Sequence, residues 1–320
     1  MSKLLVTCAF TTYNASETIH RAVYSAINQT YKNLEILIVD DHSNDSTLEI
    51  INEIIATNLS INIKLIQNNK NEGVAISRNI CINNANGEFI CFFDDDDKSY
   101  KNRIEKQLDT LLVFEKMSKI NSSKSTNALC YGDRIIHYDD GSNNFCKAIS
   151  THNVKKYSEQ YTKALLSAGP FPSKGIPGSS ATCTLFARKD IFFELNQFNP
   201  ELRRCEDLDL AVKAVMKGIE LISTNSIIVD QFHTNTLDKK NSFVYEFKLL
   251  YIHKDWLKKK NLYEFALLYL KLKNNLFHLN YLRIIKLGFV IFLKYPIHTS
   301  RKLISALKTI SFTFSHRLRI

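Results

Sequence analysis

The first hundred residues alternate between short, continuous apolar runs and segments whose apolar residues recur at helical spacing. The predicted strands are Leu4–Phe10 and Leu34–Val39, both suited to burial, Ile61–Ile66 and Phe89–Phe93. The segments between them predict helices, of which the first is expected to have Ser16 as its N-cap, the second to cover Asp45–Ile55 and the third Gly73–Ile82. This alternation predicts an α/β fold, with a mostly parallel sheet and flanking helices.

Beyond residue 100 the pattern is less regular. Helices are predicted over Tyr100–Met117 and Glu206–Met216, strands over Ala128–Tyr138, Thr182–Ala187 and Ile219–Val229, and an irregular loop over Gly169–Ser180. From about residue 242 the chain reads as helical and rich in lysine. We therefore predict an α/β domain over residues 1–235 and a helical, basic C-terminal region over residues 236–320.

Acidic residues follow two of the predicted strands. Asp40 and Asp41 come directly after the second strand, and Asp94–Asp97 directly after the fourth. Ligands of an open parallel sheet bind at the carboxyl ends of its strands, and four consecutive carboxylates repel one another unless a cation compensates. Mg²⁺ and Mn²⁺ prefer carboxylate oxygens and commonly bind substrate phosphates as well. The sequence thus predicts a divalent cation that holds a diphosphate; a solvated acidic turn is the alternative.

The order and spacing of several short motifs resemble the family 2 glycosyltransferases of the GT-A fold. The motifs are Thr12-Tyr13-Asn14, the run from Val39 to Thr47, Asn71-Glu72-Gly73 with Arg78-Asn79, and the run from Ala85 to Glu88 that leads into Phe93–Asp97. The resemblance is specific over the first hundred residues, extends more faintly to about residue 233 and fades in the tail. It implies an inverting enzyme that uses a nucleotide-sugar donor, expected to be a UDP-sugar.

The resemblance also implies roles for individual residues. It assigns the donor nucleotide to Thr12, Tyr13, Asp41, Gly73, Arg78 and Asp96, and a divalent cation (Mn²⁺ or Mg²⁺) to Asp94, Asp97 and His233. Which member of Asp94–Asp97 binds the metal stays open by one or two positions. Structural alternatives also exist: Asp41 could form a turn, Tyr13 could belong to the core, and Arg78 could be a surface residue of a helix.

A second acidic motif stands at the start of a predicted helix. Cys205-Glu206-Asp207 is similar to the family's Glu-Asp motif, in which the Asp is the general base. An attacking sugar hydroxyl needs a carboxylate to take its proton, so the resemblance makes Asp207 the base, with Glu206 supporting acceptor binding. The alternative is structural, because acidic residues in a first helical turn suit the helix dipole.

Basic residues are concentrated in the C-terminal region. The chain has a net charge of +10, but residues 240–320 contain 16 Lys or Arg and 3 Asp or Glu, a net of +13, which leaves −3 for the first 239. Around residues 281–310 these charges interrupt an apolar pattern, which predicts an amphipathic helix at an anionic membrane surface. A helical subdomain with a basic, solvated face is the alternative. No nucleic-acid-binding motif is recognisable, so no nucleic acid partner is expected.

The cysteines and apolar runs bear on location. Seven cysteines without any C-x-x-C pair are typical of reduced thiols, and we interpret them as small buried side chains rather than ligands. Neither a signal peptide nor an apolar run of about 20 residues is recognisable. We expect a cytoplasmic protein, peripheral at the inner face of the cell membrane, that acts on a saccharide or lipid-linked saccharide in bacterial surface polysaccharide or lipopolysaccharide synthesis.

Two other functions compete with this prediction. A nucleotidyltransferase would also join a nucleotide-binding α/β domain to an acidic metal site, but it usually carries a glycine-rich basic loop after the first strand. Thr11-Thr12-Tyr13-Asn14 stands there instead. An inactive, membrane-bound relative that serves as a scaffold is the other alternative. The intact acidic run and Asp207 favour an enzyme.

Overall fold

The computed structural model describes residues 4–120, 127–169, 171–172, 174–233 and 242–300. These residues form two compact units. The first comprises the described parts of Met1–Lys156 and Lys174–Thr236, and the second the described parts of Tyr157–Ser173 and Leu237–Ile320. The basic residues predicted beyond position 300 to face a membrane lie outside the described residues.

A nine-stranded mixed sheet forms the centre of the first unit. Its strands are β1 (Val6–Thr12), β2 (Leu34–Asp40), β3 (Ile63–Gln67), β4 (Phe89–Asp94), β5 (Lys98–Ser99), β6 (Ala128–His137), β7 (Asn143–Cys146), β8 (Phe186–Arg188) and β9 (Glu220–Phe232). Their order is β3-β2-β1-β4-β8-β6-β9-β5, with β7 paired to β6. The strands β1 to β4 are parallel, β8 is antiparallel to both neighbours, and β9 is parallel to β6.

Helices cover both faces of the parallel strands. They are α1 (Ile19–Ile27), α2 (Thr47–Thr57), α3 (Val74–Asn84), α4 (Arg103–Ile120), α6 (Lys189–Glu194) and α7 (Glu206–Met216), whereas α5 (Val154–Leu165) begins in the first unit and lies mostly in the second. Val6, Cys8 and Phe10 pack with α1, α2 and α4 in one core. The alternate residues are buried too, and the Phe92 ring meets Phe192 edge-on at 5.5 Å. Continuous apolar runs suit strands that are buried on both faces, so the predicted α/β fold is confirmed.

Several details differ from the sequence prediction. The helix α1 begins after Thr18, so the prediction of Ser16 as its N-cap was wrong; the Ser16 amide instead donates to Asp45 Oδ2 at 3.1 Å. The strand predicted over Thr182–Ala187 is split into a 3₁₀ turn at Thr182–Thr184 and the short strand β8. The elements β5, β7, α5 and α6 were not predicted.

The second unit is helical, as predicted for this part of the chain. It contains most of α5, together with α8 (Ser242–Ile252), α9 (Lys254–Lys259), α10 (Tyr263–Phe277) and α11 (Tyr281–Lys294). Phe265 is buried at its centre, and its ring lies 5.5 Å from that of Tyr295. Among the helices of the described ranges, none is long and apolar enough to cross a membrane.

Candidate active site

The acidic run lies where β4 ends, in the connection from β4 to β5. Asp97 is 4% exposed, and its Oδ1 accepts a hydrogen bond from the Phe232 amide at 3.1 Å. Its other carboxylate oxygen, Oδ2, is buried without a hydrogen-bond partner. Burial, with the nearby charges of Asp94 and Asp96, raises the pKa of Asp97 to about 9. A buried carboxylate oxygen without a donor is costly unless a cation binds it, so this residue fits a divalent metal ion.

Asp94 and Cys183 complete a group of possible ligands around Asp97. One ligand atom from each of the three residues lies within 4.8 Å of the other two. His233 is not in this group: its amide donates to the His137 carbonyl at 2.8 Å, and its ring lies 5.2 Å from that of Tyr138. The structure therefore brings two of the three predicted metal ligands together. The assignment of His233 to the metal stays a prediction.

The middle of the acidic run faces the end of β1. The Tyr13 amide donates to Asp95 Oδ2 at 3.1 Å, while the Tyr13 side chain is 47% exposed beside the buried Thr12. Burial and the neighbouring Asp96 raise the pKa of Asp95 to about 7. The Asp96 carbonyl accepts from Arg21 Nη2 at 2.5 Å. Tyr13 thus offers an exposed ring on the same rim as the acidic run, as a base-pocket wall would need.

Asp41 organises the loop that precedes α3. Its Oδ1 accepts hydrogen bonds from Asn68 Nδ2 at 2.7 Å, the Glu72 amide at 2.9 Å and Ser77 Oγ at 3.1 Å. Its Oδ2 accepts from the Gly73 amide at 2.8 Å. Gly73 has a φ of 94° and a ψ of 157°, a conformation that is essentially confined to glycine. The carboxylate is therefore a structural anchor for this loop, and its contact with a nucleotide base stays a prediction.

Arg78, on α3, joins the two acidic motifs. Its Nη1 donates to Glu206 Oε1 at 2.5 Å, and its Nη2 lies 3.3 Å from Asp94 Oδ1. Arg78 is 6% exposed, so it is not a surface residue of its helix. Both carboxylates raise the pKa of the guanidinium against the effect of its burial. A planar guanidinium suits this position because it can donate hydrogen bonds to two carboxylates at once.

The Glu-Asp motif forms the first turn of α7. Cys205, with a φ of 64°, stands before the helix, and Asp207 Oδ1 accepts from the Leu208 amide at 2.7 Å. Burial raises the pKa of Asp207 above its ordinary value, while the positive charges of Arg78 and Arg134 oppose the shift. Burial likewise raises the pKa of Glu206 to about 7, against the effect of Arg78. A carboxylate with a raised pKa is a stronger base, as proton abstraction from a hydroxyl requires.

Three residues of this site were not predicted. Cys183 comes from the 3₁₀ turn, Arg134 from β6 and Arg21 from α1, where its guanidinium lies 4.0 Å from the centre of the Phe232 ring. None belongs to a motif that the sequence made visible. Their approach to the acidic run depends on contacts between residues far apart in the chain.

Comparison with known proteins identifies the family of the N-terminal part. A sequence model described as "Glycosyl transferase family 2" matches residues 7–116. The N-terminal part of this chain belongs to glycosyl transferase family 2. An uncharacterized glycosyltransferase of Haemophilus influenzae is 37% identical over 112 residues, which cover 35% of this chain and 44% of that protein. The family 2 domain therefore has clear relatives among curated glycosyltransferases.

Two further relatives show how much of the chain is shared. The Escherichia coli protein named UDP-Glc:alpha-D-GlcNAc-diphosphoundecaprenol beta-1,3-glucosyltransferase WfaP is 41% identical over 104 residues, 32% of this chain and 40% of that protein. An uncharacterized glycosyltransferase of Rickettsia typhi is 29% identical over 237 residues, 72% of this chain and 66% of that protein. The chain thus spans less than half the length of the H. influenzae and E. coli relatives.

Solved structures share the fold of this chain. S. aureus TarS 1–349 in complex with UDP-GlcNAc matches 77% of this chain and 64% of that chain, with a TM-score of 0.54 and 18% sequence identity. The same protein in complex with UDP gives a TM-score of 0.52 at 17% identity, over 78% of this chain and 65% of that chain. The GT-A type of α/β fold implied by the family resemblance is confirmed.

Proposed function

We propose that this protein is an inverting glycosyltransferase that moves a sugar from a UDP-sugar to a saccharide or lipid-linked saccharide acceptor. One observation carries the proposal: Arg78 joins Asp94 of the acidic run to Glu206, the neighbour of Asp207. The Arg78 guanidinium therefore links the proposed site of a metal-bound diphosphate to the candidate general base. We assign this chemistry to residues 1–235.

The residues divide between the donor and the acceptor. Thr12, Tyr13, Asp41, Gly73, Arg78 and Asp96 contribute to the nucleotide site. Asp207 takes the proton of the acceptor hydroxyl as that oxygen attacks the anomeric carbon, and Glu206 supports the acceptor while it holds Arg78. Asp94 and Asp97 would hold Mn²⁺ or Mg²⁺, with His233 as a further predicted ligand. The cation would stabilise the charge of the leaving diphosphate, so that no acid is needed there.

The names of relatives support the proposed donor and acceptor. The name of the E. coli relative WfaP gives UDP-Glc and a GlcNAc-diphosphoundecaprenol, which is a lipid-linked sugar. TarS has been solved with UDP-GlcNAc. These names support a UDP-sugar donor and a lipid-linked acceptor in bacterial surface polysaccharide or lipopolysaccharide synthesis.

The helix α11 supports attachment to an anionic membrane surface at the inner face of the cell membrane. Leu282, Ile285, Phe289 and Leu293 fall on one side of this helix, and each is between 62% and 87% exposed. Ile291, on the opposite side, is buried. An exposed apolar stripe of this size on a soluble helix is unusual unless it meets another apolar surface. We name this stripe the outer face of α11.

Charge complementarity supports an anionic bilayer as the partner of the outer face. Arg283, Lys286 and Lys294 lie on the same helix, and all three are exposed. After Glu264 the sequence contains 10 Lys or Arg and neither Asp nor Glu. Apolar side chains flanked by basic ones suit the interface of an anionic membrane, where each Lys or Arg adds about 1 kcal/mol of attraction.

Nucleotide release tests the catalytic proposal. The full chain would be incubated with a panel of nucleotide sugars in Mn²⁺ or Mg²⁺, then with a chelator. We expect UDP release from one donor, lost on chelation and in Asp97→Ala, and retained in Asp109→Asn, which alters an exposed carboxylate of α4. Release of pyrophosphate from a nucleoside triphosphate would instead indicate a nucleotidyltransferase.

A scaffold without activity is tested by separating binding from turnover. If no donor releases UDP, even with a lipid-linked acceptor present, calorimetry with UDP and Mn²⁺ distinguishes the remaining possibilities. Binding without turnover would favour the scaffold, and no binding would overturn the proposed donor site.

A further inference from the structure

We propose that the thiolate of Cys183 is a ligand of the divalent cation, so that the site prefers softer cations such as Co²⁺ or Cd²⁺ over Mg²⁺. The proposal rests on the metal site of the proposed function and adds a sulfur ligand to it. Cys183 Sγ lies within 4.8 Å of carboxylate oxygens of both Asp94 and Asp97. Among the described residues, this is the one group of three or more such side chains close enough to share a cation.

The second observation concerns Asp97. Its Oδ2 is buried and has no hydrogen-bond partner, and Asp97 as a whole is 4% exposed. A charged oxygen in that position needs a compensating partner, and a bound cation supplies one. Asp94 is partly exposed, and its oxygen lies beside Arg78. The three side chains together therefore offer one buried carboxylate, one accessible carboxylate and a sulfur within reach of the same cation.

The turn that carries Cys183 holds the thiol in place. The Leu185 amide donates to the Thr182 carbonyl at 2.9 Å, which closes the 3₁₀ turn. Gln107 Nε2 donates to the Thr184 carbonyl at 2.7 Å and so fixes the turn to α4. Cys183 is 2% exposed, with Gln231 Nε2 at 3.9 Å from its sulfur. The thiol is thus confined next to the carboxylates rather than free to rotate into solvent.

The chemistry follows from ligand softness. A thiol that binds a metal loses its proton to solvent, and the resulting sulfur–metal bond favours softer cations. Mg²⁺ gains little from such a ligand, because it prefers oxygen. Two carboxylates and a thiolate would place three negative charges around one divalent ion. Arg78, already paired with Asp94, offsets part of that excess.

Cobalt absorption spectroscopy on the full-length protein tests the sulfur ligand directly. Co²⁺ would be added to the wild-type protein, Cys183→Ser and Cys146→Ser, first alone and then with UDP. We expect a near-ultraviolet sulfur-to-cobalt charge-transfer band in the wild type and in Cys146→Ser, and its loss in Cys183→Ser. Cys146 is a suitable control because it is a partly exposed thiol on β7, outside the metal group.

Calorimetry with Cd²⁺ and Mg²⁺ gives a second readout. We expect Cys183→Ser to weaken Cd²⁺ binding at least about tenfold, since even outer partners of metal ligands typically contribute that much. Mg²⁺ binding should change little. Equal losses for both cations would contradict a role for sulfur and indicate damage to the fold.

The outcomes separate this proposal from the function on which it rests. Bound Co²⁺ without a charge-transfer band overturns the role of Cys183 and leaves the metal-dependent transferase intact. Absence of Co²⁺ binding, with or without UDP, overturns the metal site as a whole. The release of UDP from a donor sugar is measured separately and does not depend on either result.

Discussion

Arg78 and Glu206 form a buried ion pair across 128 positions of the chain, with Nη1 donating to Oε1 at 2.5 Å. The same guanidinium reaches Asp94 at the end of β4. The nucleotide-binding motifs and the Glu-Asp motif are therefore connected through one side chain. A change at this connector should affect both the fold and the chemistry.

Replacement of Arg78 by methionine tests the contribution of this pair. Arg78→Met leaves Glu206 buried without its cation, so we expect the free energy of unfolding to fall by about 3–5 kcal/mol. Urea unfolding followed by circular dichroism measures the loss. Arg188→Met is the matched control. Arg188 also donates two hydrogen bonds to one carboxylate, that of Glu115, but its side chain is 31% exposed. Its loss should therefore lower the free energy of unfolding by about 1 kcal/mol or less. Similar losses in both variants would contradict a special role for Arg78.

The role of Asp207 is tested by Asp207→Asn. The amide cannot accept the acceptor proton, so we expect kcat to fall by about 10²–10⁴-fold. UDP affinity, measured by calorimetry, should stay close to that of the wild type. Glu201→Gln, an exposed change in the preceding loop, should leave both quantities unchanged. A loss of UDP affinity equal to the loss of kcat would argue that Asp207 supports the fold or the donor instead.

The acidic run predicts an unusual dependence of stability on pH. Burial and neighbouring charges raise the pKa of Asp97 to about 9, and burial and Asp96 raise that of Asp95 to about 7. In the unfolded chain both groups release their protons near pH 4. Because the folded state then holds more protons, the metal-free protein should become less stable as pH rises from about 5 to about 9.

Urea unfolding at several pH values, in the presence of a chelator, measures this slope. Asp97→Asn should flatten it and should make the metal-free protein more stable at pH 8. Asp109→Asn should leave the slope as it is. Mn²⁺ should restore stability at high pH, since cations displace protons from their ligands. A metal-free protein that gains stability between pH 5 and pH 9 would refute the argument.

The conformation of Gly73 gives a prediction for the nucleotide loop. Its backbone lies in a region that other residues avoid, so Gly73→Ala should lower the free energy of unfolding by about 1–3 kcal/mol. Its added Cβ would also lie 3.4 Å from the Arg203 side chain. Gly288→Ala, in α11 with no atom within 4 Å of the new Cβ, should be neutral or stabilising. Thermal unfolding of the two variants checks this contrast.

The outer face of α11 is tested by sedimentation with lipid vesicles. The full chain should bind vesicles with anionic lipids at low salt, and Phe289→Asp should weaken binding about tenfold or more, because it removes an exposed aromatic side chain that would insert into the bilayer. Val244→Asp is the control: Val244 lies on α8 and is 62% exposed, outside the outer face. Absence of vesicle binding by the wild type at low salt would disprove the membrane proposal. That result would not affect the catalytic proposal, which nucleotide release tests separately.

The strands β1, β2 and β4 could be predicted because parallel strands that are buried on both faces are rich in apolar residues. The partly exposed edge strand β3 was predicted as well. The turn at Thr182–Thr184 could not be predicted, although its residues favour a strand. Thr184 Oγ1 donates to the Ala181 carbonyl at 3.0 Å, a local bond that competes with strand pairing. Ser16 has the side chain of an N-cap, but its amide is engaged by Asp45, and the helix begins beyond it.

The candidate site could be predicted only where its functional residues are consecutive in the sequence. The acidic run and the Glu-Asp motif are of that kind. The hydrogen bond between Asp97 and Phe232 joins residues 135 positions apart in the chain. Cys183 was predicted, like the other cysteines, to be a small buried side chain rather than a ligand. Asp41 was predicted as a ligand of the nucleotide, yet its four hydrogen bonds, three to the loop before α3 and one to Ser77 of α3, could not be inferred from spacing.

Attachment to a membrane through the outer face of α11, as proposed above, would have a kinetic consequence. A protein held at a bilayer searches for a lipid-linked acceptor in two dimensions, and both partners then share a thin layer of volume. Their effective concentration rises without any new contact at the active site. Acceptor binding by the first unit could then be weak while turnover stays fast, and elongated saccharides would leave readily after each transfer.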